Sequence, residues 1–206
     1  MNFTVFGLIA YLLGSIPTAV WVGKTYYGID VRQHGSNNAG ATNTFRVLGK
    51  KPGIVVLLID VLKGALAVLL PYFVLKNQWS VNEVIEVQLI AAIMAIVGHV
   101  FPIFAQFKGG KGVATSLGVI VGIHPPAAGI CLLIFLLVFI TFKYVSLGAI
   151  VTAIAFPLLI VFYFKVDSLW LQAFSIVLGS VVVFTHKKNI KRLINREESK
   201  MNLFKK

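Results

Sequence analysis

The chain alternates long apolar runs with short polar segments. Several of the runs are long enough to cross a hydrocarbon core of about 30 Å. The pattern predicts an all-α, polytopic membrane protein with about seven transmembrane helices, placed at residues 3–23, 53–75, 85–105, 113–123, 127–143, 145–164 and 169–186. A helix over 113–123 rises only about 17 Å. This segment is therefore either a short span or part of a re-entrant arm.

Composition supports membrane residence. Of 206 residues, 58% are hydrophobic and 13% are charged, and the mean hydropathy is +0.88. A soluble domain carries about 25% charged residues. No internal repeat or linker divides the chain, which predicts a single membrane-embedded domain over 1–206. The only cysteine, Cys131, lies inside an apolar run and is predicted to be a small packing residue.

The formal net charge of +12 is distributed unevenly over the predicted loops. Most of the 19 lysines and arginines fall on one predicted side of the membrane, and only Lys76 and Lys165 fall on the other. The positive-inside rule then places the N-terminus outside and the C-terminus in the cytoplasm. Topology and anionic lipid account for the charge, so we expect no nucleic-acid partner.

The glycine loop, residues 108–112, separates two apolar runs. Its glycines leave backbone N–H groups unshielded, its lysines add charge, and the helix predicted to follow directs its positive end to the same place. A phosphate site fits this combination. A glycine turn whose lysines follow the positive-inside rule is the alternative. The candidate binding residues are Lys108, Gly109, Gly110, Lys111 and Gly112.

The first polar loop, residues 35–43, consists of small, hydroxyl and amide residues, and an arginine follows three positions later. Hydroxyl and amide groups donate hydrogen bonds, and arginine can bind two phosphate oxygens at once. The alternative is an Asx-rich turn without a ligand. The candidate substrate-binding residues are Ser36, Asn38, Thr42, Asn43 and Arg46.

Three further polar positions lie within or beside predicted spans. Asp60 and Lys63 share one face of the second span, which predicts a structural pair or a polar bond to a neighbouring helix. His99 is predicted to be a hydrogen-bonded structural residue. The four histidines are scattered, so we expect no metal site.

The last span ends in a second candidate site. His186 and Asn189 are three residues apart, on one helix face where the span meets the cytoplasm. A basic flank that stops membrane transfer explains the neighbouring lysines, but it does not explain the His–Asn pair. A site role and a purely topological role both stay open on chemistry alone.

Motifs along nearly the whole chain resemble the bacterial acyl-phosphate:glycerol-3-phosphate acyltransferases (PlsY-type). The residues that carry the resemblance are Ser15-Ile16-Pro17, Asp30-x-Arg32, Gly35-Ser36-x-Asn38-x-Gly40-Ala41-Thr42-Asn43-x-x-Arg46-x-Leu48-Gly49, Asp60-x-x-Lys63-Gly64, Gly98-His99-x-Phe101-Pro102, Phe107-Lys108-Gly109-Gly110-Lys111-Gly112-Val113-Ala114-Thr115 and His186-x-x-Asn189-Ile190-x-Arg192-Leu193.

The resemblance implies a seven-span enzyme that moves a fatty acyl group from acyl phosphate to the 1-hydroxyl of glycerol 3-phosphate. The products would be lysophosphatidic acid and inorganic phosphate, with no cofactor. Catalytic roles are implied for Ser36, Arg46, Lys111 and His186, and a substrate-binding role for Asn189. Glu198 is implied to be structural. The partners implied are the two substrates and the bilayer, and no obligate protein partner is evident.

Two positions depart from the family pattern. Asn37 and Arg196 each stand where the family commonly has glycine. Asparagine tolerates left-handed backbone better than most residues, so we expect the turn at Asn37 to survive.

Two other classes of protein compete with an acyltransferase. A transporter of a phosphorylated anion would need matching polar groups on the outer side, where polar residues are sparse. A lipid phosphate phosphatase would need a compact base or nucleophile motif, which the chain lacks.

Overall fold

Residues 2–201 are described in a computed structural model, and their regular elements are all helical. The α-helices are α1 (Asn2–Gly14), α2 (Thr18–Tyr27), α3 (Ala41–Leu48), α4 (Lys50–Leu75), α5 (Val81–Val100), α6 (Val113–Ile123), α7 (Pro125–Phe142), α8 (Val145–Leu158), α9 (Leu169–Thr185) and α10 (Lys187–Ile194). The predicted all-α class is confirmed.

Five stretches of the described residues are long and apolar enough to span a membrane. They are Phe3–Tyr27, Lys50–Leu75, Val81–Ala105, Pro125–Phe142 and Val145–Tyr163. Helices α9 and α10 meet at a bend of 59° and would together form a sixth span. The short element predicted at 113–123 is α6, an apolar helix of 11 residues.

The chain divides into two compact units, Met1–Ile123 and His124–Lys206. In the first unit, α4 packs against α6 and α1 packs against α5. Glycines permit these close approaches. A Cβ on Gly64 would meet the Thr115 carbonyl oxygen, and one on Gly118 would meet that of Val61. In a bilayer the hydrophobic effect does not drive helices together, so small residues that let backbones pack closely stabilise the interface.

An ion pair lies inside the first unit. The side chains of Asp60 and Lys63 are 2% and 4% exposed, and Lys63 Nζ is 2.8 Å from Asp60 Oδ1. The Thr18 hydroxyl donates to the same oxygen at 3.1 Å. Lys63 also donates to the carbonyl oxygen of Ile16 at 2.8 Å. Ile16 lies in the break between α1 and α2, just before Pro17. The predicted Asp60–Lys63 pair is present, and so is the predicted polar bond to a neighbouring helix, which Thr18 of α2 makes to Asp60.

Breaking this pair should cost more stability than removing both partners. Asp60→Asn leaves the Lys63 ammonium buried without its carboxylate, at a cost of about 3–5 kcal/mol. The double variant with Lys63→Met removes the buried charge as well, so its thermal midpoint in detergent should lie above that of Asp60→Asn. Lys24→Met removes the ion pair of Lys24, which is 57% exposed, with Asp30 and should change the midpoint little. A double variant less stable than Asp60→Asn would contradict this expectation.

The second unit contains α7 to α10. Pro157 lies inside α8 and has no N–H to donate to the Ala153 carbonyl. The helix widens just after it into the π-helical turn Leu159–Tyr163. Gly179 of α9 packs at this place, since a Cβ there would lie 2.5 Å from the Ala153 carbonyl oxygen. Cys131 is buried in α7, as expected of a packing residue.

Candidate active site

The first polar loop is built on left-handed backbone. Gly35 has φ 62° and Asn37 has φ 57°, and the Asn37 N–H donates to the His34 carbonyl at 3.1 Å. Asn37 therefore adopts the left-handed conformation that the family's glycine would adopt, and the turn survives the substitution, as expected. The turn leaves Ser36 half-buried between these two residues.

Asn43 holds the loop in this shape. It is 1% exposed, and its Oδ1 accepts the Ser36 N–H at 2.8 Å. Its Nδ2 donates to the carbonyls of Val31 at 2.7 Å and His34 at 3.0 Å. The Asn43 amide is thus directed into the protein, and its contribution to a site is to fix the backbone of Ser36.

The other candidates of this segment face outward to different degrees. Thr42 and Arg46 are one helical turn apart on α3 and so share a face. Arg46 is exposed, and Thr42 and Asn38 are half-buried. The guanidinium of Arg46 and the hydroxyl of Thr42 therefore share one face of α3, whereas Asn43 and Thr44 of the same helix are buried.

Arg32 connects this region to the segment that leads into the glycine loop. Its Nε and Nη2 donate to the two carboxylate oxygens of Asp30 at 3.0 and 2.8 Å. Its Nη1 donates to the Ala105 carbonyl at 2.9 Å. The hydrogen bonds from Arg32 hold the pKa of Asp30 well below its ordinary value, and the Asp30 carboxylate raises the pKa of Arg32. The clamp therefore stays ionised at neutral pH.

The glycine loop uses its bare backbone differently from the sequence prediction. The N–H of Gly109 donates to the Val100 carbonyl at 3.1 Å, and that of Gly110 to the His99 carbonyl at 3.2 Å. These carbonyls end α5 and would otherwise lack helical partners. The expectation that the two N–H groups face a phosphate is therefore wrong. The glycines are needed for close approach, because a Cβ on Gly109 would meet the His99 carbonyl oxygen.

The remaining candidates of the loop lie at its two ends. Lys108 is exposed and Lys111 is half-buried. Gly112 has φ 80°, a left-handed conformation that suits glycine, and α6 begins directly after it. Lys111 thus lies two residues before the positive end of the α6 dipole.

A small cavity lies against the inner side of the glycine loop. Gly109, Gly110 and Ala39 line it together with Asp60, Lys63 and His99. The backbone of the first polar loop reaches the same place, since a Cβ on Gly110 would lie 3.1 Å from the Ala39 carbonyl oxygen. The structure therefore brings two of the predicted polar segments together within the first unit.

In the second unit, His186 lies at the bend between α9 and α10. The residue is 3% exposed, and Nδ1 is 2.7 Å from the Val182 carbonyl oxygen. A carbonyl oxygen only accepts, so Nδ1 carries the proton in this contact. In the neutral ring Nε2 is then an acceptor.

Glu198 organises the residues around Asn189. Glu198 Oε1 accepts hydrogen bonds from Asn189 Nδ2 at 2.6 Å and from the Ser146 hydroxyl at 2.7 Å. Arg192 Nε lies 3.7 Å from the other carboxylate oxygen. These contacts support the structural role expected for Glu198. The chain reaches it through Arg196, whose φ of 61° explains why glycine would suit that position.

A profile of the family described as "Glycerol-3-phosphate acyltransferase" matches residues 4–196. The glycerol-3-phosphate acyltransferase of Bacillus cytotoxicus is 45% identical over 199 residues, which cover 97% of this chain and 95% of that protein. The chain belongs to the glycerol-3-phosphate acyltransferase family. The corresponding protein of Fusobacterium nucleatum is 44% identical over 200 residues, covering 97% of this chain and 98% of that protein.

The family fold is known from crystal structures of PlsY (YgiH), an integral membrane glycerol 3-phosphate acyltransferase. Its glycerol 3-phosphate form matches with a TM-score of 0.88 and 34% identity, covering 100% of both chains. Its lysophosphatidic acid form matches with a TM-score of 0.84 and 33% identity, covering 98% of this chain and 97% of that chain. The protein is therefore an integral membrane acyltransferase of phospholipid synthesis, and the transporter and phosphatase alternatives are set aside.

Sequence reasoning about this acyltransferase missed part of the site's support. Asp30 and Arg32 were noticed only as family motif residues, although a carboxylate and a guanidinium two positions apart beside a turn can form a clamp. Thr18 carries no signal in the sequence, and Thr115 enters only as the last residue of a family motif, because a hydroxyl in an apolar run ordinarily bonds to its own helix. Their partners lie on other helices, and only the fold identifies them.

Gly110→Ala should impair this acyltransferase because the new methyl group would meet His99 Nε2. The glycine loop must then shift, and a displacement of about 1 Å near a substrate can cost on the order of 100-fold in kcat/KM. We expect the loss to appear mainly as a higher KM for glycerol 3-phosphate. Gly129→Ala on α7, where a Cβ meets nothing within 4 Å, should leave both kinetic constants unchanged. Equal kinetics for both variants would remove the loop from the site.

Proposed function

We propose that the chain transfers a fatty acyl group from acyl phosphate to the 1-hydroxyl of glycerol 3-phosphate. The products are lysophosphatidic acid and inorganic phosphate. The supporting observation is that the first polar loop and the glycine loop, with their cationic side chains, meet within one unit. The PlsY structures in glycerol 3-phosphate and lysophosphatidic acid forms support the acceptor and the product.

The chemistry asks little of the protein beyond alignment and charge. The 1-hydroxyl oxygen attacks the acyl carbonyl carbon, the bond from this carbon to the bridging oxygen breaks, and phosphate leaves with the electron pair. The hydroxyl proton passes to a phosphate oxygen. Arg46 and Lys111 neutralise the negative charge that develops, which is the largest single contribution in many such reactions. The reaction requires no cofactor and no metal.

The remaining proposed roles follow from what each side chain offers. Ser36, Asn38 and Thr42 donate to phosphate oxygens, with Ser36 held by Asn43. Lys108 attracts the anionic substrates at the loop surface. Gly109, Gly110 and Gly112 shape the glycine loop around the ligand. Asn189, oriented by Glu198, hydrogen-bonds to glycerol 3-phosphate. His186 accepts from the 2-hydroxyl of glycerol 3-phosphate, so that the 1-hydroxyl proton can pass to a phosphate oxygen. The whole chain acts as one catalytic domain in the bilayer, without an obligate protein partner.

We further propose that the protein spans the bacterial cytoplasmic membrane with its N-terminus outside and its C-terminus inside. The asymmetry of lysines and arginines supports this orientation. A reporter fused after Lys206 should be cytoplasmic, and a tag before Met1 should be accessible from outside. Both ends on one side would break the seven-span arrangement.

The purified protein in lipid decides the reaction. Palmitoyl phosphate and labelled glycerol 3-phosphate should give labelled lysophosphatidic acid and one phosphate per product. Omitting glycerol 3-phosphate should abolish phosphate release. Product formed from palmitoyl-CoA but not from palmitoyl phosphate would overturn the proposed donor, and label at the 2-hydroxyl would overturn the proposed position.

A further inference from the structure

His99 is buried where the two ends of the glycine loop meet the helices that flank it. The residue is 6% exposed and lies in the last turn of α5. Its carbonyl oxygen accepts the Gly110 N–H at 3.2 Å. Its ring faces the same glycine, because a Cβ on Gly110 would meet Nε2. His99 thus contacts the residue just before Lys111 with both backbone and side chain.

The same ring also contacts the helix that follows the loop. Nδ1 is 3.0 Å from the hydroxyl oxygen of Thr115, in the first turn of α6. Thr115 is fully buried. One side chain therefore ties the end of α5, the middle of the glycine loop and the start of α6 together. Lys111 lies between the two tied points.

The ring also lies beside the buried ion pair. Asp60 Oδ1 lies 3.8 Å from His99 Nδ1 and 2.8 Å from Lys63 Nζ. Since Lys63 already pairs with this carboxylate, the carboxylate needs no second cation. A buried polar group that has partners on several helices fixes one arrangement of those helices. An apolar residue at position 99 would fill the space but could not direct the loop.

We propose that His99 is a positioning residue of the acyltransferase, which through Gly110 and Thr115 sets the place of Lys111. The proposal rests on the proposed function, in which the glycine loop binds a phosphorylated substrate. His99 itself does not touch the reacting atoms in this scheme. Its loss should weaken binding of glycerol 3-phosphate while the fold persists.

Thr115 offers the mildest test. Thr115→Val keeps the shape of the side chain and removes the hydroxyl, and it should raise the KM for glycerol 3-phosphate about tenfold with little change in kcat. Thr115→Ser restores the hydroxyl and should stay within about twofold of the wild type. Thr141→Val is the matched control, because the Thr141 hydroxyl donates to the Leu137 carbonyl of its own helix. His99→Asn, whose amide can replace Nδ1, should be less impaired than His99→Ala.

A second readout follows the loop without requiring turnover. Trypsin cleavage after Lys108, measured by mass spectrometry, should accelerate in Thr115→Val and His99→Ala, while cleavage after the exposed Lys50 should not. Faster cleavage at both lysines, or a Thr115→Ser variant as impaired as Thr115→Val, would overturn the positioning role. Wild-type protein that makes no lysophosphatidic acid would refute the proposed function instead. The cleavage pattern would still test whether His99 and Thr115 hold the glycine loop in place.

Discussion

Replacing either Lys111 or Arg46 by alanine is expected to lower kcat/KM on the order of 100-fold. This corresponds to a loss of about 3 kcal/mol of transition-state stabilisation for each substitution. Each side chain supplies a full positive charge to a transition state in which a phosphate leaves. Lys111 is half-buried, so its charge is screened less by water than that of an exposed residue. Steady-state kinetics with both substrates varied would measure the loss.

Lys51→Ala is the matched control for charge. Lys51 is exposed at the start of α4 and lies on the same predicted side of the membrane. Its removal should change kcat/KM by less than about twofold, because an exposed charge remote from the substrate is screened. Similar losses in all three variants would mean that the lysines and arginines act only through topology and lipid attraction.

The membrane helices were readable from the sequence because lipid imposes a simple requirement. A span needs a long apolar run, and polar residues must end it. The predicted segment 53–75 therefore lies within α4 (Lys50–Leu75), and segment 113–123 coincides with α6. The same requirement explains why Asp60 and Lys63 were expected to pair.

The glycine loop shows where sequence reasoning fails. Bare backbone at Gly109 and Gly110 suits either an anion or a close neighbour, and the composition of the loop is the same in both cases. The neighbour is the end of α5, whose carbonyls need donors. The two carbonyls lie nine and eleven residues before the glycines that bond to them, and only the turn at Ile103–Ala105 brings the chain back. The sequence therefore identifies the glycine loop as an important segment, but it does not show that the N–H groups of Gly109 and Gly110 bond to the end of α5.

His186→Gln is expected to retain activity within about tenfold of the wild type, while His186→Ala should lose on the order of 100-fold. The difference follows from the contact between Nδ1 and the Val182 carbonyl, which places the proton of the neutral ring at Nδ1. Nε2 is then an acceptor for the 2-hydroxyl of glycerol 3-phosphate, which does not react. Glutamine can place its carbonyl oxygen near that position, whereas alanine offers no acceptor.

The alternative is that His186 is a general base. In that case both variants should be equally inactive, since an amide cannot take up the proton, and the wild-type rate should fall along a single histidine-like ionisation as the pH drops. His34→Ala is the control, because the exposed His34 acts on the loop through its carbonyl, which the substitution leaves in place. A measurable Gln variant with a pH profile parallel to the wild type would leave the substrate phosphate as the proton acceptor. The ring of His186 would then orient glycerol 3-phosphate through its 2-hydroxyl and would not deprotonate the 1-hydroxyl.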